Sequence, residues 1–445
     1  MLIFSLVFFV ILKAVRYLAQ IFPVNKLLTI KTFEKQLGIN LPWKIDDISF
    51  KPVENNTQEL HVFLSFTQGS IFKDKTKVSC PIHSTYNKTW QHIDFEEMIC
   101  YLHCKVPRIK TTEGSILTLD VPWAKTGSQF SWGFETNVIQ QIQNGKSFGT
   151  IGTLLNKDSH SIWNIFNRWI NAAYTADVID QELSVIGIDE ISDQGKSKQI
   201  TVTIDLKNER VIRVTQGIGK EALQDIRHYL SSKGILPEQI KHVTGPLSSD
   251  LQSSADFKTC FSNAEYHVDR VYILRLLNDA IDQIRKKESY RTKTLTEAAA
   301  LFVKHPALLS DKQKKDIQKL SGLFPRVGQA YDLKNAFFAL WDQSSLQSAD
   351  TFLESWYQKV NNTRLFPLKR AAEQIQTHKQ NVILFLDLPT DATTMEQLHE
   401  KSIAATKRTK GLKNFENVSN MILLCCGQLG VPSYPENSIS GVEIN

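Results

Sequence analysis

Between Leu183 and Gln216 three strand-like stretches follow one another, LSVIGIDE, QITVTIDL and RVIRVTQ. Their connections, DQGKSK and KNE, are short and polar, so the three strands form an antiparallel meander. The period then changes. GKEALQDIRHYLSSKG reads as an amphipathic helix closed by Gly234, QIKHVTG as a fourth strand, and a helix follows from about Ser249. AEYHV is a fifth strand and DRVYILRLLNDAIDQIRKK a further helix. Three antiparallel strands followed by alternating helix and strand leave few options. The order is that of the RNase-H-like fold, with a mixed five-stranded sheet.

The first of these strands ends abruptly. In VIGIDEIS the apolar run Val185 to Ile188, which reads as buried on both faces, meets two acids, Asp189 and Glu190. In an RNase-H-like sheet the ends of the first and fourth strands lie side by side, and a late helix packs across that edge. Carboxylates from these three places can hold two divalent ions. Hard oxygen ligands suit magnesium, which keeps waters and takes phosphate oxygens. Two ions roughly 3.5–4 Å apart clamp the attacking and leaving oxygens of a phosphoryl displacement. Side chains alternate along a strand, so only one of the two acids enters the cleft, and Asp189 is the better candidate.

The chain has 445 residues, enough for two to four domains. With 42% hydrophobic and 22% charged residues its composition is globular rather than disordered. A net charge of +6 is compatible with a nucleic-acid partner. Six cysteines in this length do not make a disulfide framework and read as thiols of a reducing cytosol. MLIFSLVFFVIL opens the chain as an unbroken apolar run, too short for a comfortable membrane span and lacking the flanks of a signal peptide. It is expected to be an extension ahead of the first domain, with a membrane anchor through residues 2–12 as the lesser reading.

Elsewhere the motifs carry competing readings. VSCPIH opens as a zinc ribbon does, with His83 in the second ligand position after Cys80, and CYLHC offers a second C-x-x-H in Cys100 and His103. CYLH also reads as part of a strand, ICYLHCKV, whose side chains alternate and do not all converge. The strand reading is the one expected. Residues 130–170 give a helix stopped at Asn144-Gly145, a short helix SFGTIGTLL, a turn at Asn156-Lys157, and a third helix capped by Asp158 or Ser159. Ile162, Ile165, Phe166 and Trp169 make one apolar face of that helix; Lys157, His160, Asn164 and Arg168 are the candidate DNA contacts. This is the helix-turn-helix pattern, and an ordinary helical bundle fits it equally well. Residues 294–380 look all helical, with Leu333, Phe337, Leu340 and Trp341 as a core stripe. A later helix carries Glu396 and leads into a basic run, Lys407, Arg408, Lys410 and Lys413, suited to phosphates or to a solvated helix end.

LGINLPW, HIDFEEMICYLHCKVPRI, VPWAKTGSQF, VIGIDEIS, NAEYHVDR and KGLKNFENV together resemble the ISL-three family of bacterial insertion-sequence transposases, from about Phe33 to Gly430. The resemblance implies an aspartate-aspartate-glutamate (DDE) centre, with Asp189 as the first catalytic and metal-binding aspartate and Glu396 as the glutamate. The family's second aspartate closes the fourth strand. Here that slot holds Pro246, and Asp250 lies one helical turn on as a displaced candidate. The family's asparagine before the glutamate is Ala392, the glycine and asparagine after it are Gln397 and His399, and the second zinc-ligand pair is missing from IKTTEGS. The organisation expected is an α/β multidomain chain. It comprises an extension at 1–30, a degenerate zinc-ribbon-like β region at 31–125 and a helix-turn-helix at 126–178. An RNase-H-like core at 179–290 and 389–430 follows, interrupted by an all-helical insertion at 291–388, with a tail at 431–445.

The function expected is that of a DDE transposase binding the inverted repeats of its element and cleaving and transferring DNA strands with magnesium or manganese, impaired here at Pro246. The alternative is a transposase-derived DNA-binding protein without catalysis. Structural zinc is not expected. The partner is double-stranded DNA, bound by a dimer or higher oligomer, with no small-molecule substrate. The place of action is the bacterial cytoplasm, on the nucleoid.

Overall fold

The computed structural model of the chain describes residues 30–31, 34, 37–52, 58–74, 76, 78–95, 98–192, 199–247, 255–288, 293–389, 393–409 and 414–430. The apolar run at residues 2–12, Asp250, Ala392, Lys410, Lys413 and the tail lie outside the described residues. The chain makes two compact units, one up to Trp169 and one from Ile170 to Gly430. Among the described residues no helix is long and apolar enough to cross a membrane.

The first unit contains strands β1 (Trp43–Pro52), β2 (Gln58–Phe66), β3 (Phe72–Lys73), β4 (Ser79–Cys80), β5 (Ile82–Phe95), β6 (Met98–Lys110) and β7 (Ile116–Thr118). Five of them form a sheet in the order β1-β2-β6-β5, with β7 pairing β6; β3 and β4 form a separate ribbon. Burial alternates along β6: Met98, Cys100, Leu102 and Cys104 are buried and the residues between them less so. Cys100 and His103 therefore face opposite sides of the sheet and do not converge on one ion. His103 instead bonds His61 at 2.7 Å and Thr89 at 2.9 Å. Cys80 Sγ contacts Asp74 and Val78 O, and His83 contacts Ser84. Trp43 and Trp90 both pack edge-on against fully buried Trp123 in the core of this sheet.

Helices α1 (Trp132–Gln143), α2 (Phe148–Leu154) and α3 (Ser159–Ala176) follow. Ser131 and Ser147 cap the first two, and the Asp158 carboxylate accepts from Ser161 N at 2.8 Å to cap the third. Gly152 is required where it stands, because a Cβ there would lie 2.6 Å from Lys157 O in the turn between α2 and α3.

The second unit is built on β8 (Val185–Ser192), β9 (Gln199–Asp205), β10 (Arg210–Gln216), β11 (His242–Gly245) and β12 (Glu265–Val268), in the order β10-β9-β8-β11-β12. The first three are antiparallel; β11 runs parallel to β8 and to β12. β8 is thus paired on both edges and covered on both faces, which is why VIGI reads as continuous apolar sequence. Among the described residues the α-helices of six residues or more in this unit are α4 (Lys220–Ser232), α5 (Ala255–Cys260), α6 (Arg270–Glu288), α7 (Asp311–Leu323), α8 (Pro325–Phe337), α9 (Leu346–Asn361), α10 (Phe366–Thr377), α11 (Thr393–Arg408) and α12 (Phe415–Cys426). Ile186, Ile188, Val243, Tyr266 and Val268 on one sheet face belong to the same core as α4, α6 and the helices of residues 293–383. Phe337 and Leu340 are buried in that core and Leu333 and Trp341 pack against it, so the expected stripe is a core stripe.

Candidate functional site

Register places the side chains of the other sheet face in rows. Gly187, Thr244 and His267 are partners across β8, β11 and β12. Two residues further along each strand the next row reads Asp189, Pro246, Asp269. Gly187 leaves room for α11, since a Cβ there would collide with Met395 Sδ. That close approach seats the next turn of α11 over Asp189, and His399 Nδ1 lies 2.7 Å from Asp189 Oδ2. The other carboxylate oxygen, Oδ1, accepts from the Tyr272 hydroxyl of α6. Asp189 is 1% exposed, so these two groups dominate its environment. The Tyr272 hydroxyl is pushed well above its ordinary range by burial and by the adjacent Asp189 charge, which keeps it a donor.

Glu396 is exposed in the first turn of α11, and His399 follows three residues later on the same helix face. Glu396 therefore stands about 4.5 Å along the helix axis from the residue that touches Asp189. The expectation that the strand stops at the acid is corrected for β8, which continues past Asp189 to Ser192 in register with β9. Asp269 was missed by sequence reasoning, although in AEYHVD, as in VIGID, an apolar strand run meets an acid. It is 1% exposed, and its Oδ1 caps α6 by accepting from Val271 N at 2.8 Å. Its Oδ2 has no hydrogen-bond partner among the described residues. Burial first, and then the Asp189 charge among smaller influences, raises its carboxyl to about 7.

These residues do not fit a pair of magnesium ions. Both oxygens of Asp189 are engaged by protein groups, and the middle of the row is Pro246, whose ring offers no oxygen and whose carbonyl accepts from Tyr266 at 2.8 Å. His399 occupies the Oδ2 side of Asp189 at hydrogen-bonding distance.

In the first unit His160 and Asn164 are exposed on one face of α3, and Lys157 is half-buried beside the Phe130 ring. Arg168 does not join them. Its Nη2 is paired to Oε1 of Glu135, a carboxylate with no exposure that also accepts from Trp169 Nε1 and Ser128 Oγ at 2.6 Å each. A buried carboxylate needs a counter-charge, and Arg168 of α3 supplies it to Glu135 of α1 while its side chain stays 32% exposed. In the basic run Lys407 is exposed, while Arg408 donates to Cys425 Sγ at 3.2 Å.

A family model described as Transposase, of the ISL3 type, matches residues 186–422, more than half of the chain. A second, described as the helix-turn-helix domain of transposase family ISL3, matches residues 119–170. The chain is also similar to the transposase for insertion sequence element IS1557 of Mycobacterium tuberculosis, in strains CDC 1551 / Oshkosh and ATCC 25618 / H37Rv. Identity is 21% over 361 residues, covering 74% of this chain and 79% of the relative.

Proposed function

The chain belongs to the ISL3 family of transposases, and on that footing we propose that it binds the ends of an insertion sequence while its strand-transfer centre is held shut. The α2–α3 pair is the DNA reader. His160 and Asn164 face base edges, and Lys157 faces a phosphate. Lys407, with Lys410 and Lys413, adds phosphate contacts. The strand order β10-β9-β8-β11-β12 supports an RNase-H-like core, with Asp189 and Glu396 as the first and last acids of the DDE set and Asp250 as the displaced middle one.

One observation carries the closed-centre reading. Asp189 is buried, with His399 on one oxygen and Tyr272 on the other. A divalent ion at such a centre neutralises phosphate charge and activates the attacking oxygen. Here an imidazole takes the place at the first carboxylate, and proline takes the second.

The test uses the full chain and duplexes carrying the element's end sequences, in magnesium and in manganese. End-specific binding with cleavage at background is expected. The double variant Pro246→Asp with His399→Asn restores both family residues and is expected to raise cleavage about tenfold or more. Cleavage by the unaltered protein that is abolished by Asp189→Asn would overturn the closed reading. That outcome belongs to a second reading, an active centre in which Asp269 replaces the missing aspartate. The Oδ2 of Asp269, without a hydrogen-bond partner among the described residues and next to Pro246 in the row, favours it.

A further inference from the structure

Toward the starts of β11 and β12 lies a cluster that the DNA chemistry does not use. His242 begins β11, Glu265 begins β12, and His267 sits two residues along β12. His242 is paired with Glu265 in register and Thr244 with His267, so all four side chains share one face. One ligand atom from each of His242, Glu265 and His267 can be chosen such that all lie within 4.8 Å of one another. His242 Nδ1 is 3.0 Å from His267 Nε2 and 3.9 Å from Glu265 Oε2.

We propose that these three side chains form a binding site for one borderline-soft divalent cation, zinc, with a fourth position left to water. The donor set is the first support. Two imidazoles and one carboxylate suit zinc far better than magnesium, and three protein ligands with an open position are a recognised zinc arrangement. The tautomer is the second. His267 has no exposure, and its Nδ1 lies 2.8 Å from Leu384 O. A carbonyl only accepts, so Nδ1 carries the proton and Nε2 presents its lone pair toward His242. A ligating histidine held through its other N–H by a carbonyl is the usual outer arrangement of a metal site.

Distance is the third. Ligands about 2.05 Å from a tetrahedral zinc stand about 3.3 Å apart. The observed 3.0 and 3.9 Å bracket that value, and Glu265, with 58% of its side chain exposed, has room to close the longer edge. The fourth is an unmet need. The Thr244 hydroxyl has no exposure and no hydrogen-bond partner among the described residues, and it lies beside His267 on this face. A metal-bound water is a partner of the right kind.

The proton count closes. Before binding, His242 Nδ1–H donates to His267 Nε2. On binding, neutral His242 moves its proton to Nε2 by exchange with solvent, which its 24% side-chain exposure permits. Both imidazoles then ligate as neutral groups, and Glu265 ligates as a carboxylate. The site ties the starts of β11 and β12 to the Leu384–Asp387 turn through His267. It is independent of whether Asp189 is closed. His242 lies four residues before the Pro246 row, about 13 Å along the strand, and His267 two residues before Asp269, about 7 Å.

The experiment titrates the metal-stripped full chain with Co2+, as an optical stand-in for zinc, and with Zn2+ in a thermal melt. One equivalent of cobalt is expected to give the visible bands of a tetrahedral site, displaced by zinc, and zinc is expected to raise the melting midpoint. His242→Ala and Glu265→Gln should each weaken binding roughly 100-fold and remove the bands. Asp189→Asn and Cys80→Ser should leave them intact. Absence of tetrahedral cobalt bands in the unaltered chain overturns the proposal. So does their persistence in both His242→Ala and Glu265→Gln, or their loss in Asp189→Asn or Cys80→Ser. Glu265 is at the surface, so its variant reports on the ligand rather than on folding.

Discussion

At the scale of single residues, Arg168 has two possible partners, a phosphate outside or a carboxylate inside, and the fold gives it Glu135. Arg168→Ala leaves Glu135 buried with the neutral donors Ser128 and Trp169. Removing one partner of a fully buried pair costs about 3–5 kcal/mol, and with Arg168 32% exposed the loss here falls below that range. Urea denaturation is expected to show that loss, while the salt dependence of DNA binding by the folded variant stays unchanged. A shallower salt slope with unaltered stability would return Arg168 to the DNA contacts. Asp269 gives a pH signature. Its folded carboxyl titrates at about 7 against an ordinary 3.8, so the folded state prefers the proton. The stability linked to that proton is complete below about pH 4 and is lost as pH rises through 7. Asp269→Asn keeps the cap to Val271 and removes the charge. Its melting midpoint should exceed that of the unaltered chain at about pH 8 by more than at about pH 5. A gap independent of pH counts against the buried-acid account.

At the scale of elements, the α2–α3 turn depends on one missing side chain. A Cβ at Gly152 would lie 2.6 Å from Lys157 O, a backbone atom held by its neighbours. Gly152→Ala should therefore displace the turn and weaken DNA binding about tenfold or more, with α1 and the β1–β7 strands still folded. Binding at the original affinity would show that the turn tolerates the shift. The helix pattern of this region was legible because its caps and apolar spacing are local. The Glu135–Arg168 pair was not, because it joins residues 33 apart on different helices.

At the scale of the whole molecule, the helices between α6 and α11 are not a detachable part. α6 buries Leu277, Ala280, Ile281 and Ile284 in a core shared with Val327, Phe337, Leu368 and Ile375 of those helices. Replacing residues 293–388 by a short Gly-Ser linker should uncover that face and leave the second unit aggregated or unfolded. A soluble, cooperatively melting product would show that the sheet and α6 form a core without them.

The sequence by itself determined the strands, the helix-turn-helix pattern and the acid that follows the apolar run of VIGID. Each is written in a local period or a local cap, which a short window of residues contains. Only the tertiary structure decided what Asp189 touches. Tyr272 and His399 are 83 and 210 residues away along the chain. Their arrival depends on strand register, on α11 settling against Gly187, and on which turn of that helix lies over the sheet edge. The same holds for His242, Glu265 and His267, gathered by the parallel pairing of β11 with β12. Register brings distant side chains to one place, and no local pattern records it.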